Sequence, residues 1–322
     1  MTEHFTYTIN YSQIMNIVSV SRRTDIPAFY PGWFMRRIME GHVRYVNPFG
    51  GQEHEVSLRP EDVHAFVFWS KNYGPLMRYL PELEGRGYDF YFHFTITGLP
   101  GTFENLVIPL DDAVTTFRLL SGRYGPRRVQ WRFDPIIISN LTGPDFYVTR
   151  FKEIASRLQG ATERCYFSFV CVYSKVRRNL DVLVNNYNIT CRDPSATDKT
   201  DLTGRLKEIA DSYGITLYSC CQEALATGGV RQAQCVDGEL LFELFSHKPR
   251  QTKINPTRKG CRCVISRDIG AYDTCPHGCV YCYANMNKEL AQKRFQMHDP
   301  SSDILTPAQT PPNKPADVQP RA

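Results

Sequence analysis

The chain has 322 residues, of which 42% are hydrophobic and 22% charged, ordinary globular usage that excludes a wholly disordered or fibrous protein. A net charge of +5 is weak evidence for nucleic acid and none for a membrane surface, and no apolar run approaches the length of a bilayer span. Residues 1–10 lack the basic-then-apolar pattern of a signal peptide, so a cytoplasmic location with reduced thiols is expected.

In chain order, an apolar run at 17–21 predicts the first strand, and periodic residues at 33–40 predict a helix. A weak strand follows at 43–46, a stronger one at 65–69, a helix at 75–84 and an aromatic strand at 90–96. The pattern continues as helix 110–124, strand 129–133, helix 146–158, strand 165–172, helix 202–213 and strand 215–220. Gly85, Gly87, Gly125, Gly160 and Gly214 each stand between a helical pattern and a strand, where a left-handed cap is needed. The polar stretch 185–200 has no clear period and is expected to be a long loop. From residue 300 the chain is rich in Pro, Ser and Asn and is expected to be a disordered tail, 300–322. Alternation of strands with amphipathic helices predicts an α/β fold, a TIM-like (β/α) barrel, complete or partial, over about 14–250.

Chemistry in such a fold collects at the carboxyl ends of the strands. Those ends carry Ser21, Arg22, Arg23, Thr24 and Asp25, then Ser70, Lys71 and Asn72, then His93, Thr95 and Thr97. They continue with Arg132 and Asp134, then Ser168 and Tyr173, and finally Cys220, Cys221, Gln222 and Glu223.

Cysteine is the unusual residue. Eight of the eleven lie in 220–282 and five in 261–282, a clustering that random burial does not produce. Cys275, Cys279 and Cys282 form a C-x3-C-x2-C run with Gly278 inside it, so three thiolates can converge on one metal centre. An iron–sulfur cubane normally takes four thiolates, and three leave one iron open. Zinc is the alternative, with Cys279 and Cys282 joined by Cys261, Cys263 or His277.

The C-x3-C-x2-C spacing with Tyr281 before the last cysteine resembles the signature of radical S-adenosylmethionine (SAM) enzymes. That resemblance implies a [4Fe–4S] cluster on Cys275, Cys279 and Cys282 whose open iron takes the amino and carboxylate groups of SAM, and Tyr281 against the adenine. The chain is also similar to an uncharacterised bacterial family with radical-SAM-like cysteines at its C-terminus. The stretches 19–30, 68–72, 131–136 and 268–285 carry the likeness. Ordinary radical SAM enzymes place the cysteine loop after the first strand, whereas here it follows the last. A C-terminal iron–sulfur segment, 251–299, is therefore expected to close over the barrel mouth beside the candidate catalytic residues Arg22, Arg23 and Asp25. Lys71, Thr95, Arg132 and Asp134 are candidates to hold SAM, which presents a carboxylate, an ammonium and ribose hydroxyls.

Cys221, Cys235, Cys261 and Cys263 are enough for an auxiliary iron–sulfur cluster or zinc. The resemblance extends to the noncanonical radical SAM enzymes of arsinothricin biosynthesis, which implies transfer of the 3-amino-3-carboxypropyl group of SAM to trivalent arsenic. The vicinal Cys220 and Cys221 would suit such a soft substrate. More distantly the run resembles spore photoproduct lyase, which implies a 5′-deoxyadenosyl radical acting on another substrate, nucleic acid included. Lys175, Arg177 and Arg178 with Tyr173 and Tyr187 are the only basic and aromatic grouping for that reading, and a solvated face explains them better. A non-catalytic zinc protein is the third reading. The expected partners are a small-molecule substrate, arsenite among them, and a cellular electron donor, with no membrane.

Overall fold

The computed structural model describes residues 15–48, 50–172 and 174–306. Tyr173 and residues 307–322 of the expected tail lie outside the described residues.

The strands, in chain order, are β1 (Asn16–Val20), β2 (His42–Val46), β3 (Glu53–Ser57), β4 (Val63–Ser70), β5 (Phe90–Thr95), β6 (Val129–Ile136), β7 (Ile138–Ser139), β8 (Arg164–Phe169), β9 (Cys191–Arg192), β10 (Thr216–Ser219), β11 (Arg231–Gln232) and β12 (Arg267–Asp268). Eight of them form one sheet in the order β11-β10-β8-β6-β5-β4-β1-β12, parallel throughout. Seven are laid down in one direction, and β12 returns to the far side of β1. This is the architecture of a TIM-like α/β fold.

Alternation along each strand builds two different faces. Val18, Phe66, Phe68, Phe90, Phe92, Phe94, Trp131, Phe133 and Phe167 enter the large core cluster beneath the helices. Their neighbours Ile17, Ala65, Val67, Tyr91, Tyr166 and Tyr218 enter a second cluster, packed against Ala233, Cys235, Val236, Leu240 and Val264. The chain that follows β11 thus covers the opposite face of the sheet. Helix Leu110–Tyr124 shows why the covering helices form. Ala113, Val114, Phe117, Leu120 and Tyr124 recur at three- and four-residue spacing and are buried, while Asp111 and Asp112 occupy the first turn, where negative charge suits the helix dipole.

Several expectations change. The run at 43–46 is β2, which pairs antiparallel with β3 outside the main sheet. The expected loop 185–200 is largely ordered secondary structure: helix Ser174–Tyr187 enters it, β9 follows, and helix Ala196–Ser212 starts inside it. Ser195 accepts from the Asp198 amide while the Asp198 side chain accepts from the Ser195 amide, and this capping box starts a helix that hydrophobic periodicity alone missed. The expected helix 75–84 is two short helices, Gly74–Met77 and Leu80–Gly85. Gly87, Gly125, Gly160 and Gly214 take positive φ, as expected of caps, but Gly85 does not. The start of the expected tail is docked: Trp33 Nε1 donates to Ser302 O at 2.8 Å, Arg44 pairs with Asp303 at 2.6 Å, and Ile304 and Leu305 are buried. Among the described residues, no helix is long and apolar enough to cross a membrane.

The C-terminal segment is built into the sheet through Asp268. Its carboxylate accepts from Ser19 Oγ (3.0 Å), Ser21 Oγ (2.6 Å), the Arg22 amide (2.8 Å) and Arg23 Nε (3.1 Å). Burial alone would raise its pKa, but Arg23, Arg22 and these hydrogen bonds more than offset that and hold it at about 2. Because the folded pKa lies below the ordinary carboxylate value, the stabilisation is complete above about pH 4 and is lost as pH falls towards 2. Asp268→Asn should lower stability by about 3–5 kcal/mol at neutral pH, as expected for breaking a buried ion pair, and should flatten the acid limb of a denaturation curve between those pH values.

Candidate functional site

Two groups of thiols lie at the carboxyl-end rim of the sheet and on the segments that cover it. The first is the C-x3-C-x2-C loop. Asp25, directly after β1, is its anchor: Oδ1 accepts from the Ala28 amide (3.0 Å) and Ser70 Oγ (2.6 Å), and Oδ2 from the Lys71 amide (2.8 Å). Oδ2 also meets His277 Nε2 at 2.7 Å. The other ring nitrogen of His277 lies 3.0 Å from Leu106 O, and Phe29 packs edge-on against the ring. Both imidazole nitrogens therefore have protein partners, and His277 positions the loop rather than joining a zinc site. Thr24 and Thr274 Oγ1 atoms, 2.5 Å apart, and Tyr30 OH donating to Thr274 O at 2.6 Å fix the residue before Cys275.

Lys71 follows β4 and pairs with Glu104 at 2.8 Å. Glu104 Oε1 also accepts from Thr97 Oγ1 at 2.8 Å and from the Tyr281 hydroxyl. This buried carboxylate collects groups from two strand ends and the cysteine loop. Nothing in its own stretch of sequence marks it, because its partners come from distant segments.

Cys275, Cys279 and Cys282 are near enough to influence one another's ionisation. No sulfur–sulfur hydrogen-bond contact joins them among the described residues. Burial pushes the Cys279 thiol up to about 12, against the opposing effect of Lys71, and burial likewise raises Cys275 and Cys282.

The second group sits by the end of β10. Cys220 Sγ lies 3.8 Å from Cys221 Sγ and 3.5 Å from Cys235 Sγ. Cys221 reaches Cys261, Cys261 reaches Cys263, and Cys263 reaches Cys235, so five thiols form a hydrogen-bonded ring. Neighbours on an extended strand point to opposite faces, but β10 ends at Ser219 and Cys221 takes φ 59°, a left-handed conformation costly for a residue with a Cβ. Gly260 makes this possible: a Cβ there would stand 2.8 Å from Cys221 O.

Guanidinium groups surround the ring. Arg258 Nε donates to Cys221 Sγ (3.0 Å) and its Nη2 to Cys220 Sγ (3.5 Å), while Arg132 Nη1 donates to Cys235 Sγ (3.2 Å). Arg132 also pairs with Asp134, which accepts from Ser168. Cys220 and Cys261 are held towards the thiolate by their thiol neighbours, whereas Cys221 and Cys235 are held towards the thiol by the same contacts. A cavity of about 380 Å³ is lined by Cys220, Cys221, Cys171, Ser168, Arg258 and Lys259 among others. Among the described residues, no three His, Cys, Asp or Glu side chains already converge as a finished metal site.

The expected site residues are therefore divided. Asp25, Lys71 and Tyr281 meet the C-x3-C-x2-C loop, whereas Arg132 and Asp134, expected to face SAM, belong to the thiol ring. Thr95 lies opposite Arg132 in register, between the two. Arg22 and Arg23 hold Asp268, and Arg22 Nη2 also donates to Ser266 Oγ at 2.9 Å. Cys220, expected as a substrate thiol, is a member of the ring. Arg258 was not foreseen.

Solved structures offer only faint likeness. D-hydantoinase from Bacillus sp. AR9 is 12% identical over 68% of this chain and 45% of its own, with a TM-score of 0.30. Another D-hydantoinase is 12% identical over 76% and 53%, with a TM-score of 0.32. Dihydropyrimidinase from Brevibacillus agri is 11% identical over 77% and 52%, with a TM-score of 0.31. The chain thus spans about half the length of these proteins. No curated protein matches. Residues 17–284, from the first strand through the last cysteine of the loop, match the family described as domain of unknown function (DUF1848), and the chain belongs to that family.

Proposed function

We propose that this protein is an enzyme that reductively cleaves SAM, with a [4Fe–4S] cluster held by Cys275, Cys279 and Cys282. The observation that carries the reading is the placement of these thiols: a loop from the far end of the chain is fixed to the carboxyl end of β1 by Asp25 and His277. The residues fit the group. Three thiols lie close together without closing on one another, and positive charge from Lys71 bears on Cys279 and Cys282. When bound, such a cluster supplies a reducing electron and an open iron for the amino and carboxylate groups of SAM.

The chain's own task is to hold and shield. Asp25 keeps the loop on the rim through four contacts, so its position does not depend on the cluster. Lys71, balanced by Glu104, offers an ammonium to a ligand carboxylate. Tyr281, buried against the core with its hydroxyl held by Glu104, presents a fixed ring face. Phe29 and Phe295 cover the His277 side and keep water out.

A second reading concerns the acceptor. Cys220 and Cys221 line the 380 Å³ cavity, and soft trivalent arsenic favours thiolates, which supports transfer of the 3-amino-3-carboxypropyl group to arsenic.

Reduced, reconstituted protein incubated with SAM should release 5′-deoxyadenosine or methylthioadenosine, the latter marking aminocarboxypropyl transfer. Arsenite should increase methylthioadenosine if arsenic is the acceptor. Replacing Cys275, Cys279 or Cys282 by Ala should bring either product to background. A colourless protein that retains only zinc after anaerobic reconstitution with iron and sulfide would sink the proposal. His277→Gln removes the Asp25 link without touching a cysteine and should weaken iron retention about 10- to 100-fold, as loss of a group that orients metal ligands does.

A further inference from the structure

We infer that the five-thiol ring is a binding site for one soft divalent metal ion of the zinc class, separate from the C-x3-C-x2-C loop. The ion would be held by Cys220, Cys235, Cys261 and Cys263, with Cys221 left at the cavity.

Spacing is the first argument. Four sulfurs about 2.3 Å from a tetrahedral centre stand about 3.8 Å apart, and the two measured separations here are 3.8 and 3.5 Å. A cubane keeps its ligating sulfurs on the outer corners of a four-iron box and needs them farther apart. In the C-x3-C-x2-C loop the sulfurs do not touch. One chain therefore carries a thiol group too tight for a cluster and another too open for a single ion.

Charge is the second argument. A divalent ion with four thiolates carries two negative charges, which a buried site must balance. Arg258 donates to two ring sulfurs, and among the described residues it has no carboxylate ion pair. Arg132 donates to a third sulfur. The Val236 amide donates to Cys263 Sγ at 3.3 Å, and Thr257 Oγ1 to Cys261 Sγ at 3.6 Å. Donors of this kind orient metal thiolates and hold their charge.

Exposure selects the fourth ligand. Cys220, Cys235, Cys261 and Cys263 are buried, whereas Cys221 is half-buried on the cavity wall. Each sulfur already touches two others, so closing on an ion needs side-chain rotation and no change of fold. An ion held this way competes with trivalent arsenic for Cys220.

The test uses the full chain, purified reduced and without oxygen, with cobalt(II) and zinc(II) as probes. One equivalent of cobalt should bind with the visible bands of a tetrahedral thiolate site, and zinc should displace it. A variant with Cys275, Cys279 and Cys282 all replaced by Ala should keep this site while losing SAM cleavage, so the two proposals fail separately. Cys261→Ser with Cys263→Ser should abolish the cobalt bands. Should that variant not fold, alkylation of the wild-type protein decides: zinc should shield Cys220, Cys235, Cys261 and Cys263 and leave Cys221 reactive. Shielding of no ring thiol, octahedral cobalt, or iron and sulfide retained by the triple variant would overturn the inference.

Discussion

The Asp268 carboxylate is the constraint on which both thiol groups depend. It lies on a two-residue strand that pairs with β1 in only two registered positions, too little ladder to hold a long C-terminal segment. Its side chain supplies the rest by gathering two serine hydroxyls, a backbone amide and two guanidinium groups from the end of β1 and the turn after it. A hydrogen bond to a charged group contributes about 1.5–3 kcal/mol, roughly twice a neutral one. Everything after residue 264 is placed by this junction, the C-x3-C-x2-C loop included. Chain upstream of it, from Ala233 to Val264, is drawn onto the inner face of the sheet, and this segment delivers Cys235, Cys261 and Cys263 to Cys220.

The strands were legible because their signal is local. Phe90, Phe92 and Phe94 against Tyr91 and His93 read as two faces without knowledge of any neighbour. The helices over 110–124 and 146–158 were equally plain. The elements that escaped notice are those fixed by distant partners: β12 is too short to show a period, and the docking of Ile304 and Leu305 depends on Trp33 and Arg44. The 185–200 stretch was misread for another reason, since a capping box acts through hydrogen bonds and leaves no apolar pattern.

The site divides along the same line. Cys275, Cys279 and Cys282 were visible because eight consecutive residues contain them. The ring was only half visible. Its cysteines come from three separate stretches, and Cys221 joins Cys220 only because the backbone there turns left-handed. Arg132 and Asp134 were assigned to the right rim but the wrong neighbour, since a strand end gives the height of a side chain on the sheet and not the direction in which a long guanidinium reaches. Glu104 could not be nominated at all. Its three donors, Lys71, Thr97 and Tyr281, become neighbours only after the C-terminal loop has docked.

The two thiol groups share a border of positive charge. Arg22 and Arg132 both lie against the ring of Trp69, with guanidinium carbons 5.9 and 5.2 Å from its centroid. Two like charges this close in a poorly solvated region repel unless negative charge faces them. Asp268 answers Arg22 and Asp134 answers Arg132, and the thiols answer both: Cys263, Cys235 and Tyr283 favour the charged form of Arg22, while Cys235 and Cys220 do so for Arg132. Tyr283 adjoins Cys282, so Arg22 senses the environment of both groups. A change of charge at one group alters the field at Arg22, and through it the other, because water is too scarce here to screen the effect. Loss of thiolate at the ring would leave Arg258 buried without its anionic partner and Arg132 with Asp134 alone. The rim is therefore stable with its arginines charged only while some of its sulfurs are anionic, and that state is the one that receives metal ions.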